Sequence, residues 1–99
     1  MTQRDVEFEW SIAKAASNLR EHGVSFDEAE TAFDDSLAWI FDDEWNSDDE
    51  RREILIGHSN QNRVLFVSFV QRAHDRIRII SARPADAGER RTYAETSRF

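Results

Sequence analysis

The chain has 99 residues, a formal net charge of −7, 39% hydrophobic and 11% aromatic side chains, and no cysteine. That length suits one domain built on one core, residues 1–99 together. The missing cysteines exclude a disulfide framework, a thiol nucleophile and thiolate-bound zinc.

No apolar run approaches the roughly 18 residues of a membrane span, and no signal-like segment opens the chain, so the expected compartment is the cytoplasm, away from membranes. Phe8, Ile12, Ala15, Ala16 and Leu19 recur at helical spacing. They predict the buried face of a first helix over 11–22, with Ser11 as N-cap and Gly23 as left-handed terminator. In "SFDE", Ser25 and Glu28 stand at capping-box spacing. This predicts a second helix over 26–34 whose face is marked by Phe26, Ala29 and Phe33. Runs of β-formers follow at 37–41, 53–58, 63–70 and 76–82. The links 59–62 and 71–75 are short enough for antiparallel hairpins.

The stretch 41–53 is the long irregular link, with six acids between Asp42 and Glu50. Such a cluster could hold a divalent cation, but it lacks the turn glycine of a calcium loop, so a solvated loop and no metal are expected. Pro84 ends the last strand because it has no ladder donor. "DAGE" at 86–89 repeats the capping spacing and predicts a terminal helix over 87–96. The order α-α-β-β-β-β-α predicts an α+β fold: two N-terminal helices, a four-stranded antiparallel sheet and a C-terminal helix.

Charge is unevenly divided. Residues 1–50 carry 15 acidic and 3 basic side chains, residues 51–99 carry 5 acidic and 10 basic. Twelve of the thirteen basic residues are arginine; Lys14 is the exception. The guanidinium fork matches phosphate and stacks on bases. In "RIRIISAR" (76–83) strict alternation puts Arg76, Arg78, Ile80 and Ala82 on one face, and Ile77, Ile79, Ser81 and Arg83 on the other. Arg83 then lies past the strand end, where it could swing to either side. Arg63 and Arg72 bound the neighbouring strand, and Arg90 and Arg91 lie on the last helix. Tyr93 shares a helix face with Arg90. Arginines around a sheet with a tyrosine at hand suit an RNA backbone and an adjacent base. The competing reading is a non-catalytic module whose arginines dock a protein partner.

The pieces "FEWSIAKAASNLREHGVSFDEAETAFDD", "RREILIGHS" and "RIRIISARPADAGERRTYAE" resemble the BrnT family of ribonuclease toxins, from about Phe8 to Glu95. The resemblance implies a RelE-like domain, an endoribonuclease that works without a metal or other cofactor, and an antitoxin of the BrnA kind. That antitoxin would carry a ribbon–helix–helix module, so operator DNA is reached only through it. The chain departs from the family at "QRAHD" (71–75), where "ERGD" is common, and at Pro84, where a lysine is common.

Cleavage by internal attack needs a base for the ribose 2′-OH, stabilisation of the phosphorane charge and an acid for the leaving oxygen. Arg78 and Arg83, in the matching strand motif, are the candidates for the phosphate. Arg63, Arg72, Arg76 and Arg90 are candidates for the RNA backbone. Tyr93 could stack or donate a proton. Glu89 could act as base, or simply complete a capping box. His22, in "EHGVSF", is a catalytic candidate that also fits a helix C-terminus. His58 and His74 read as surface residues, Trp10 and Trp39 as core, and Trp45 as an exposed anchor.

Overall fold

The computed structural model describes residues 6–47, 50–73 and 75–96. The elements are β1 (Glu7–Glu9), α1 (Ile12–His22), α2 (Phe26–Ala32), β2 (Trp39–Asp42), β3 (Arg52–His58), β4 (Val64–Arg72), β5 (Arg76–Pro84) and α3 (Ala87–Thr96). A 3₁₀ turn at Glu44–Asn46 interrupts the β2–β3 link. Ser11 Oγ accepts the Lys14 N–H at 3.3 Å, and Gly23, at φ 68°, donates its N–H to the Leu19 carbonyl. A left-handed C′ position of this kind carries no Cβ penalty in glycine.

The antiparallel four-stranded sheet expected from the sequence is instead five-stranded and mixed. Its order is β1-β5-β4-β3-β2, with β1 parallel to β5. β1 arises because Glu7, Phe8, Glu9 and Trp10 alternate polar and apolar, the strand period. Phe8 turns inward to meet Phe33 at 5.0 Å, and Trp10 meets Phe26 at 5.8 Å.

Counting Phe8 into a helical stripe therefore misplaces the face of α1. Ile12 and Leu19 are exposed; of the expected stripe Ala15 packs against the core, and the buried residue of the helix is Asn18. Its amide donates to the Val24 and Ala82 carbonyls at 2.9 and 2.7 Å and accepts from the Ala82 N–H at 3.1 Å. A buried amide thus ties α1 to β5 where an apolar contact was expected. On α2 the expected face holds: Phe26, Ala29 and Phe33 are all buried.

The core lies between the helices and one face of the sheet. Val24, Phe26, Ala29 and Phe33 pack against Leu55, Leu65, Val67 and Phe69, with Ile77, Ile79 and Ala82 from β5. The end of α2 sits almost directly on the β3 backbone. A Cβ at Gly57 would stand 2.9 Å from Leu55 Cδ2 and 3.0 Å from the Ala32 carbonyl oxygen.

A bulge decides which way the arginines point. Ser68 pairs with Ser81, but Phe69 pairs with Ile79, so Ile80 is an extra residue on β5. Such an insertion shifts the alternation by one. Ala82 therefore joins Ile77 and Ile79 in the core, and Arg83 joins Arg76 and Arg78 on the second face. Strict alternation had assigned Ala82 and Arg83 the other way round.

That second face carries Trp39, Phe41, Ile54, Ile56 and Phe66 toward the β2 side and the arginines toward β5. Trp39 is not a core residue: it is half-exposed and leans on Phe41, ring centroids 4.9 Å apart.

Candidate nucleic-acid interface

β5 delivers Arg76, Arg78 and Arg83 to one surface; β4 adds Arg72, paired with Arg76; β1 adds Glu9, paired with Arg78. The cations form two groups. At the start of β5, Arg72, Arg76 and Arg78 share one carboxylate, Glu9, at 3.6, 3.7 and 3.5 Å. Arg72 has a second partner in Glu50 at 3.0 Å, and its Nε is buried with no hydrogen-bond acceptor among the described residues. Three fixed positive charges thus share Glu9, with Glu50 on Arg72 and Glu7 beside Arg76 in the register.

Five residues on, roughly 15 Å at the rise of a strand, stands Arg83. The two groups lie on one track; they do not converge into a single pocket. Arg83 donates to both oxygens of Glu89 at 2.8 Å and to the Pro84 carbonyl at 3.2 Å. Its guanidinium carbon lies 4.1 Å from the centre of the Phe66 ring, a cation–π contact. The bonds from Glu89 raise the Arg83 pKa, against the opposing effect of burial.

Glu89 is held in turn. Its N–H donates to Asp86 Oδ1 at 2.7 Å, and its Oε1 accepts the Asp86 N–H at 2.9 Å. This is the reciprocal capping box that the 86–89 spacing predicts. The same carboxylate thus starts α3 and orients Arg83. Tyr93, one turn further along α3, donates its hydroxyl to Asp35 Oδ2 at 2.6 Å. Burial works against ionisation of Asp35. The Tyr93 hydroxyl and the His58 and Leu37 amides outweigh it and leave that carboxyl below its ordinary value.

The remaining candidates lie elsewhere. Arg63 turns to the helix side, where it donates to Glu28 at 2.6 and 2.8 Å and to the Gly23 carbonyl at 2.9 Å. Glu28 is buried, and it also accepts the Ser59 hydroxyl at 2.7 Å. The Arg63 bonds pull its pKa down, burial pushes the other way, and the net shift is downward. The Ser25 box is consequently one-sided. Ser25 Oγ accepts the Glu28 N–H at 3.0 Å, while the Glu28 side chain is committed to Arg63.

His22 is exposed at the end of α1, the helix tied to the covered face, so it does not join Arg83. Arg90 bends back to the Ala85 carbonyl at 2.7 Å. His58 contributes its backbone N–H to Asp35 at 2.8 Å, and His74 lies outside the described residues.

Glu9 and Phe66 are the participants that sequence reasoning passes over. The polar–apolar alternation of 7–10 is the signal that could locate Glu9. Asp35 has no such signal beyond its place in "FDD".

Among the described residues no group of three His, Cys, Asp or Glu side chains is placed to hold a metal ion. In the acidic link, Asp42 is engaged by Arg51 at 2.8 Å and Asp43 by the Asn46 amide at 3.1 Å; Asp48 and Asp49 lie outside the described residues. Among those residues, too, no helix is long and apolar enough to cross a membrane.

A crystal structure of the ribonuclease toxin BrnT of Brucella abortus has the same fold, with a TM-score of 0.63 and 23% identity, over 82% of this chain and 97% of that one. No curated protein sequence matches. The family model described as "Ribonuclease toxin, BrnT, of type II toxin-antitoxin system" spans residues 10–89, from Trp10 just before α1 to Glu89 itself, so the chain belongs to the BrnT family.

Proposed function

We propose that this protein is a RelE-like endoribonuclease toxin that cuts single-stranded RNA in the cytoplasm without a metal. The observation that carries the reading is Arg83. It is aimed by a bidentate carboxylate and a ring contact on the sheet face that also carries Arg72, Arg76 and Arg78.

In this reading the 2′-oxygen attacks phosphorus, the bond to O5′ breaks, and the products are a 2′,3′-cyclic phosphate and a 5′-hydroxyl. Arg83 binds the scissile phosphate and stabilises the charge that builds on it, which a fixed donor pair does best when preorganised. Arg72, Arg76 and Arg78 hold the flanking backbone, because the distance along β5 rules out one phosphate for both groups. Glu89 acts as positioning residue, with both oxygens committed to Arg83. Tyr93, oriented by Asp35, is the candidate for proton transfer.

The partner that silences the enzyme is a BrnA-like ribbon–helix–helix antitoxin covering the arginine track, and operator DNA is contacted through that antitoxin.

The test uses the purified chain, an end-labelled single-stranded RNA and EDTA. Cleavage that persists in EDTA and leaves cyclic phosphate ends is expected. Cleavage lost in EDTA and restored by added magnesium would overturn the metal-free mechanism. An RNA left intact under every condition would overturn the activity.

A further inference from the structure

Between the β2–β3 link and the second face of the sheet lies a pocket of about 490 Å³, in the size range of small-ligand sites. Arg83 stands at one wall. Phe41, Ile54 and Phe66 make an apolar lining, and Trp45 flanks it from the 3₁₀ turn. Trp45 is 95% exposed, so its ring contributes almost nothing to the core.

The lining also includes three acidic residues of the β2 end and the turn after it, Asp42, Asp43 and Glu44. Asp42 is held by Arg51 and Asp43 by Asn46, but Glu44 makes no hydrogen bond or ion pair among the described residues. The pocket is therefore lined by a cation, aromatic surface and a carboxylate that has no partner among the described residues. A second phosphate would be repelled by the acidic residues. A flat ring with N–H donors on its outer edge would meet complementary groups throughout.

We propose that this pocket seats the nucleobase adjoining the phosphate at Arg83 and that it favours guanine. The inference rests on the ribonuclease reading and adds base preference to it. Bases stack on aromatic side chains whatever their identity. The carboxylate supplies the discrimination. Guanine presents two adjacent donors, N1–H and the N2 amino group, which match the two oxygens of Glu44. Adenine and cytosine offer one donor beside an acceptor, and the N3–H of uracil is flanked by two carbonyls that the carboxylate repels.

The probes are 2′-O-methyl trinucleotides, UGU, UIU and UUU, which keep their phosphates and cannot undergo internal attack. Binding is read by quenching of tryptophan fluorescence in the full chain, with Trp45→Phe to assign the signal. UGU should bind about tenfold more tightly than UUU, within the range of one bidentate base contact, and UIU, which lacks the N2 amino group, should fall between them. Glu44→Gln should erase the difference while leaving UUU unchanged.

Equal affinity for UGU and UUU would overturn the proposal. Quenching produced by an antitoxin but by no trinucleotide would also overturn it and assign the pocket to a protein side chain. RNA cleavage, followed separately on a gel, distinguishes the two failures. Cleavage without base preference sinks only the guanine pocket. Selective UGU binding with no cleavage sinks only the enzymatic reading.

Discussion

On the helix-covered side of the sheet, Arg63 donates to Glu28 at 2.6 and 2.8 Å and closes over a buried carboxylate; on the other face, Arg72, Arg76 and Arg78 stand around Glu9 at 3.5–3.7 Å. The residue types are the same, and the difference is how fully each cation is satisfied. Arg63 makes three short bonds through Nε and Nη2, and a buried acid depends on it. The three around Glu9 are under-partnered and partly exposed, so a phosphate oxygen can displace or join the carboxylate at low cost. Arg83 combines both: tight, bidentate geometry at a surface a ligand can reach.

The largest effect is expected at Arg83. Arg83→Ala should lower RNA cleavage by about 100-fold, the usual loss for one preorganised donor set, equivalent to ~2.7 kcal/mol of barrier. Its cost to folding should stay under ~1 kcal/mol, because the Glu89 pair is partly exposed. Arg83→Lys keeps the charge but loses the fork and should recover little activity. Initial cleavage rates and thermal melts on the same samples check both halves. Undiminished cleavage by Arg83→Ala would remove Arg83 from the site.

Arg63→Ala should reverse that pattern. It strands a buried carboxylate, so stability should fall by ~2–3 kcal/mol, below the full cost of breaking a buried pair because Arg63 itself reaches solvent. Cleavage per folded molecule should be unchanged. Glu28 sharpens the contrast through pH. Its folded-state pKa lies below the ordinary 4.5. The stabilisation is therefore fully present above pH 4.5 and is lost as pH falls through the lower, folded value. Denaturation midpoints measured from pH 7 down to pH 3 should drop in the acid range, and the part of that drop due to Glu28 should vanish in Glu28→Gln.

The elements most legible in the sequence are those set by local chemistry. The Ser11 and Asp86 caps, Gly23 and Pro84 all act within a few residues, and each stands where its spacing predicts. What escaped depends on contacts across the chain. β1 has only three residues and is defined by pairing with β5, 69 residues away at Glu9 and Arg78. The bulge at Ile80 leaves no mark on a sequence that alternates without a break, yet it alone puts Arg83 beside Phe66. Asn18 shows the same limit from the other side, since a polar residue on an inward face reads as an exposed one until its partner on β5 is known. The arginine track was visible as composition. Its division into two groups required the register.

A smaller effect is expected at Glu9. Glu9→Gln removes the shared carboxylate from the three arginines and should tighten binding of single-stranded RNA by about threefold at low salt, with a steeper salt dependence as more cations reach phosphates. Stability should change by less than ~1 kcal/mol, as for exposed ion pairs. Filter binding at several salt concentrations tests this. Weaker binding would mean that Glu9 orders the arginines for RNA and does not compete with it.

The smallest effect, and the most selective, is at Gly88 in the first turn of α3. A Cβ there would meet Asp86 Oδ1 at 3.5 Å, an ordinary contact that leaves the capping bond to Glu89 in place. Gly88→Ala should therefore stabilise the protein by ~0.5 kcal/mol, by restricting the unfolded chain. Cleavage should not change, because the bidentate bond between Glu89 and Arg83 is made by the folded state in either case. A melt shifted upward with an unaltered rate would separate the stability of α3 from the aim of Arg83. A rate that moved with the melt would show that the start of α3 frays in solution, and that Arg83 is positioned only for the fraction of time in which its capping box is closed.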